Sequence, residues 1–492
     1  MTGPAVRLVA VTAVLCGLVG AGEATRPDLP APARPGSAPV VGAVVVCPDV
    51  TGSDVVAGST GAGPGGLRIT TLAGTPPALR PTPGPGASTP ASPLDVAGRV
   101  VVLRSGEGDG DGGGDGAALV EATGAVAAGL GVEQRRRDLD GPVRGLSALR
   151  CRPPGTSTWF VGGATVLGES AQLVLVNADD VPALVDVSGW SASGPVERRA
   201  GRGIAVPARG RTVVELDTIA PDRDLLSLHV QTSRGRVAAA LRHARADGRT
   251  AGGVDWVPAV GPPAQEVLVA GLARGPGSRT LVVTNPGPDA TTAQVQLLTG
   301  DGVVDLAPMD VPAGTSVSRS LSVDLAATPA TVRVRSTAGP VLAGAEVLDL
   351  QTGPVRELSW AGAATALTGP ALLADVALSP RAEVTLLLTA TETDAVVVLR
   401  PLPVGGQPAP PTGRRVAVAA LTTVAVRLST LLPPGSSARL AVELQTTGGP
   451  VVAARVLRER APTGPLTAVL PVVSGPGRVR VPVVRSDPLA GR

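Results

Sequence analysis

The stretch Leu281–Leu297, LVVTNPGPDATTAQVQL, carries the reading of the fold. A Val-rich run stops at Asn285, a Pro-Gly-Pro-Asp turn follows, and the chain resumes with Val295 and Leu297 at every second position. Branched side chains at period two on both sides of a turn describe two half-buried β-strands. The pattern returns as LVLVNADDVPALVDV over Leu173–Val187 and, more weakly, as LLLTATETDAVVVL over Leu386–Leu399. Asn177 and Asn285 stand 108 positions apart (285 − 177).

Two further markers share that period. HVQTSRGRVAAAL around Gly235, VRVRSTAGPVLAGAEV around Gly339 and AVELQTTGGPVVAARV around Gly449 are 104 and 110 apart. Gly-Pro opens each unit at Gly261, Gly369 and Gly475, spaced 108 and 106. Three markers with one spacing define a tandem repeat. VEATGAVAAGL around Gly124 is a fainter earlier copy of the second marker, 111 before Gly235.

Inside a unit Val317, Leu321, Val323 and Leu325 share one face, and Val332 and Val334 alternate with Arg333 and Arg335. Val424, Val426 and Leu428 repeat the alternation. Turn residues recur every 8–15 positions, which predicts about seven short antiparallel strands per unit. The expected fold is all-β: tandem immunoglobulin-like or fibronectin-III-like sandwiches, with a β-propeller as the alternative. The segment Gly477–Val484 opens like a fourth unit and then the chain stops. That strand either closes the preceding sandwich or pairs with an N-terminal strand.

Composition agrees. The chain has 492 residues, too many for one core. Aromatics are nearly absent (Phe160, four Trp, no Tyr), so Val, Leu and Ala must fill the interior, while 64 Gly and 49 Pro punctuate it. Every basic residue is Arg, a mark of GC-rich coding. A net charge of +3 without a basic block argues against a nucleic-acid partner.

Arg7, the apolar run Leu8–Val19 and the small residues Gly20–Gly22 describe an export signal. The run is shorter than the ~20 residues of a spanning helix. Uncleaved, it would serve as an anchor. Its removal leaves Cys47 and Cys151, an even pair that an oxidising exterior joins into one disulfide. The expected organisation is signal 1–24, Pro/Ala-rich tether 25–39, a degenerate module with low-complexity insertions 40–155, repeats 156–260, 261–368 and 369–474, and a closing strand and tail 475–492.

In combination, CRPPGTSTWFVGGATVLGESAQLVLVNADDVPALVDV (Cys151–Val187), RGIAVPARGRTVVELDTIAP (Arg202–Pro221), GRVAAALRHAR (Gly235–Arg245) and GVDWVPA (Gly253–Ala259) resemble domain of unknown function 5719, a family of secreted proteins from high-GC Gram-positive bacteria. The resemblance implies export and a β-rich chain. It brings no activity and no catalytic residues.

Candidate chemistry is sparse. Glu107, Asp109, Asp111 and Asp115 are hard oxygen ligands in a Gly-rich loop, but the spacing lacks the third ligand and terminal Glu of an EF-hand. They read as a solvated loop, and a calcium-stiffened stalk is the minor alternative. His229 and His243 are the only histidines, too few for a zinc site, and GWSASG at Gly189–Gly194 has the wrong spacing for a nucleophile elbow. No metal, cofactor or catalytic residue is assigned. Trp256 and Trp360 are 104 apart, each before a Gly-Pro opening, and Trp159-Phe160 holds a comparable place, so all four read as anchors between repeats. The expected function is a non-catalytic, secreted or envelope-associated scaffold facing another protein or a wall polymer. The rival is an extracellular hydrolase using carboxylates from different repeats.

Overall fold

The computed structural model describes residues 36–61, 63–73, 88–93, 100–104, 116–196, 199–321, 325, 328–350, 356–402, 404, 413–433, 435–475 and 477–481. The segment read as an export signal, most of the segment read as a tether, the Asp-rich loop and Val323 lie outside them. Residues 40–477 form one body. The other described piece is a two-stranded antiparallel pair, Gly36–Pro39 with Arg478–Val481, so the closing strand meets an N-terminal one.

The quoted stretch sits in a sandwich of eight strands: Glu266–Leu272, Gly277–Asn285, Thr291–Thr299, Gly302–Val311, Thr315–Ser320, Ala330–Ser336, Leu342–Leu350 and Arg356–Gly362. One sheet takes the first, sixth, third and fourth strands in that order; the other takes the fifth, second, seventh and eighth. All pairings are antiparallel. Asn285 ends the second strand because its side chain makes the turn: Oδ1 accepts from Gly287 N at 3.0 Å, and Nδ2 donates to Asp289 O at 2.7 Å. Period two then packs Leu281, Val283, Val295, Leu297, Val332 and Val334 into one core. Each such side chain contributes roughly 1.5–3 kcal/mol by leaving water.

The same strand order builds three more sandwiches, over Gly42–Arg150, Ser157–Val260 and Ala371–Val472. In the second, the fourth position is split into Gly194–Val196 and Ile204–Val206, and Ala259–Val260 adds an edge beyond the first strand. Each sandwich thus has eight strand positions, and the second carries ten strands in all, where turn spacing predicts seven. The Ala-rich run after Ala117 is a strand pair, Gly116–Gly124 and Leu130–Asp138, joined at the Gly124 marker through a one-turn 3-10 helix. The Gly235, Gly339 and Gly449 markers occupy the equivalent sixth-to-seventh turn. No sheet of the described residues closes into a barrel. Propeller blades are meanders of consecutive strands, whereas each sheet here mixes both halves of its repeat. The fold is a tandem array of β-sandwiches.

Within the body the array closes on itself. The first-strand sheet of each sandwich packs on the fifth-strand sheet of the next, and that of the fourth returns to the first. The four eighth strands, Gly145–Arg150, Thr250–Val257, Arg356–Gly362 and Gly464–Val472, meet in cyclic order at the centre. Each sheet therefore has two covered faces. Arg333 shows the consequence: it points away from its own core, as its alternation requires, yet it is only 4% exposed and donates to Thr391 O of the next sandwich.

Candidate functional site

The buried charges gather where sandwiches meet. On the axis, Asp255 of the second sandwich accepts from Ala148 N of the first (Oδ1, 3.2 Å) and Trp360 N of the third (Oδ2, 3.2 Å). Glu357 of the third accepts from Leu146 N at 2.8 Å and Thr467 N of the fourth at 3.4 Å, while Arg144 Nη1 donates to its other oxygen at 3.1 Å. Eighth strands of different sandwiches cannot form one ladder, so two carboxylates supply acceptors for their unpaired main-chain donors. Both carboxylates are 0% exposed. Burial pushes Asp255 well above the usual carboxylate range against three main-chain hydrogen bonds, and nearby Glu357 adds to the rise. Burial likewise raises Glu357 to about 8, opposed by Leu146 N–H and Arg144.

Between the second and third sandwiches lies His243, 0% exposed. Trp360 Nε1–H donates to its Nδ1 at 3.2 Å, which leaves Nε2–H to donate to Glu169 Oε2 at 2.7 Å. Arg245 joins Glu169 to Glu346. Burial pushes the Glu169 carboxyl up, but the hydrogen bonds of His243 and Arg245 and the Arg245 charge outweigh it and hold Glu169 below its ordinary range. Trp360 is seated over Gly162, where a Cβ would fall 2.2 Å from its ring.

The border between the fourth sandwich and the first is the most heavily charged of these. Glu133 Oε2 accepts from Arg455 Nη2 at 2.5 Å and Asp375 N at 2.9 Å. Arg439 spans Asp375 at 2.8 Å and Asp54 at 3.0 Å. Arg135 reaches Asp375 at 3.4 Å and Glu459 at 3.3 Å. Burial raises the Asp375 carboxyl, and Arg135, Arg439 and Arg455 together pull it below its ordinary range.

One aromatic group remains half open. Trp159 stacks on His229 with centroids 3.8 Å apart and planes 5° from parallel, and Trp190 lies 5.3 Å from Trp159 at 29°. All three are half-buried on the sheet that faces the third sandwich, beside exposed Ser157, whose Oγ lies 2.8 Å from His229 Nε2. Burial lowers the His229 pKa below its ordinary value.

The cysteines and the aromatic anchors singled out from sequence fall among the described residues, Trp159 partly buried against Val161, Val260, Val282 and Leu342 where the second sandwich meets the third. Cys47 and Cys151 form a disulfide linking the first strand of the first sandwich to the end of its last. Trp256 packs with Val46, Leu72 and Leu119 of the first sandwich, and Phe160 lies in a core cluster with Leu348, Leu358 and Trp360 of the third. Among the described residues no group of three or more His, Cys, Asp and Glu could hold a metal ion. Sequence reading passed over Trp190, Asp255 and Glu357. Trp190 stands at the polar parity of its strand, after Asp186 and Ser188, which was the available signal. Asp255 and Glu357 are acids inside apolar strands, 102 apart, but nothing local tells that such acids meet.

Fold and site together define a tandem β-sandwich repeat protein whose buried chemistry lies between repeats. Over residues 108–409, 302 of 492 positions (409 − 108 + 1), the chain matches the family described as a family of unknown function (DUF5719), and it belongs to that family. No curated protein matches it.

Proposed function

We propose that this protein is an exported, non-catalytic scaffold that offers the Trp159–Trp190–His229 shelf to a partner, another protein or a polymer of the cell wall. The observation that carries the reading is the contrast between buried and open chemistry. The axial and border charges bind sandwich to sandwich, while three stacked rings stay only partly buried, Trp159 packing one side against the border with the third sandwich. Aromatic faces give large contact area at low entropic cost. The disulfide is compatible with an oxidising exterior, and no helix among the described residues is long and apolar enough to cross a membrane.

The test is a photo-crosslinking amino acid at Ser157 in intact producing cells, with and without Trp159→Ala/Trp190→Ala. The reading expects one captured species that disappears in the double variant while its melting temperature stays within a few degrees. Equal capture by both, or mature protein in the cytosol with free thiols, would overturn it.

The hydrolase reading draws on one specific observation: Asp255 and Glu357 come from different repeats and interact. Both are fully buried, so a substrate would have to part the eighth strands to reach them. Loss of a wall-hydrolysing activity in Glu357→Gln at unchanged fold would favour it.

A further inference from the structure

Three of the four borders between sandwiches are spanned by the chain itself, through Arg152–Thr156, Gly261–Gln265 and Ala363–Pro370. Among the described residues the fourth, between the last sandwich and the first, has no covalent link across it. The short pair Gly36–Pro39 with Arg478–Val481 also joins the chain ends, but it has four residues a side, nearly all exposed. At this border a small apolar patch, Val56 against Leu372, Ala374, Leu402, Val404 and Ala441, is surrounded by the charges described above.

One of those charges is out of character for the repeat. Counting from the Gly235, Gly339 and Gly449 markers, the position of Arg455 is held by Leu241 and Ala345 in the preceding repeats, and both are core residues. Only the fourth repeat puts a guanidinium there, 2% exposed, and it reaches Glu133 of the first sandwich. A buried ion pair adds little net stability over apolar packing, but it strongly disfavours wrong partners. The two surfaces are also different from each other, one a first-strand sheet and the other a fifth-strand sheet. Complementary, non-identical surfaces pair head to tail, within one chain or between chains.

We infer that the border of the first and fourth sandwiches is the removable joint of the closed array, and that, once open, it takes a second copy of this chain by exchange of the terminal sandwiches. Glu133–Arg455 and Asp54–Arg439 are the recognition pairs. Their charges select the last sandwich for the first over the other surfaces that the repeat offers.

The test uses the full chain in four single variants: Glu133→Arg, Arg455→Glu, Asp54→Arg and Arg439→Glu. Each alone is expected to keep its β-sheet circular dichroism and to elute as a larger, opened species with an increased radius of gyration. Mixing Glu133→Arg with Arg455→Glu, or Asp54→Arg with Arg439→Glu, restores matched charges only between chains. Each mixture should yield a heterodimer by native mass spectrometry, whereas Glu133→Arg/Arg455→Glu within one chain should restore the compact monomer. Single variants that stay compact monomers, mixtures that do not pair, or variants of both pairs that lose their sheet structure would overturn the inference, because it requires sandwiches that stay folded when the joint is open.

Discussion

Asp255 and Glu357 are carboxylates held away from water, and their titration gives the protein a distinctive pH response. Unfolded Glu357 titrates near 4.5 and the folded one near 8. Between those values the native state holds a proton that the unfolded chain has released, so stability falls as pH rises through that window. Asp255 acts in the same direction. Asp375 and Glu169 act oppositely: held below their ordinary values, they add stability that is lost as pH falls through the acid range. The melting temperature should therefore peak in mild acid and decline from about pH 5 to pH 9, and Glu357→Gln should flatten that decline. A wild-type melting temperature rising steadily over the same range would contradict the assignment. A second prediction concerns the turn asparagines. Asn177 repeats the Asn285 geometry, with Oδ1 accepting from Asp179 N at 2.9 Å and Nδ2 donating to Val181 O at 2.7 Å. Asn177→Ala and Asn285→Ala should each cost about 1–3 kcal/mol, by roughly equal amounts, in urea unfolding. The third copy carries Ala390 at this place, and its turn instead uses main-chain bonds such as Leu421 N to Ala390 O.

Strands meet across the borders through features that recur with the repeat. Ser227, Thr284 and Ser316 form a hydroxyl chain with links of 2.7 and 2.8 Å between the second and third sandwiches. Thr331, Thr389 and Thr423 form the same chain between the third and fourth, again at 2.7 and 2.8 Å. Each hydroxyl both donates and accepts, so a buried chain of three ends on a carbonyl, Trp190 O in one and Leu298 O in the other. Replacing the middle member, Thr284→Val or Thr389→Val, strands its neighbours and should cost about 1–3 kcal/mol by denaturant titration. Close approach also depends on Gly162, at φ 129° under the Trp360 ring. Gly162→Ala should displace Trp360, lower stability by roughly 1–3 kcal/mol or more and alter its fluorescence. Gly261→Ala, where an added Cβ meets nothing within 4 Å, is the matched control and should change stability by less than about 0.5 kcal/mol.

The assembled body relies on one covalent staple. Cys47 and Cys151 are separated by 104 residues, and on chain-entropy grounds a loop of that length is worth up to ~4–5 kcal/mol. Cys47→Ser/Cys151→Ser should lower the urea midpoint accordingly. Because the disulfide joins the two ends of the first sandwich, the loss should appear first in that sandwich, as faster hydrogen exchange over Gly42–Arg150 than over Glu266–Gly362.

Strand character, the all-β class and the disulfide were legible in the chain because each depends on local chemistry: branched residues at period two, turn-forming Asn, Gly and Pro, and an even pair of cysteines. The repeat was legible because its markers fall in turns, where backbone geometry restricts residue choice. The partners of Arg455, Asp255 and Glu357 were not legible. Alternation places a side chain on one face of a strand but says nothing about what covers that face. Arg333 and Arg135 have the pattern of solvated residues and become half-buried or buried only because another sandwich arrives. That arrival depends on surfaces hundreds of residues apart, so only the tertiary structure decided which charges are joined, which rings stay open, and that the last sandwich returns to the first.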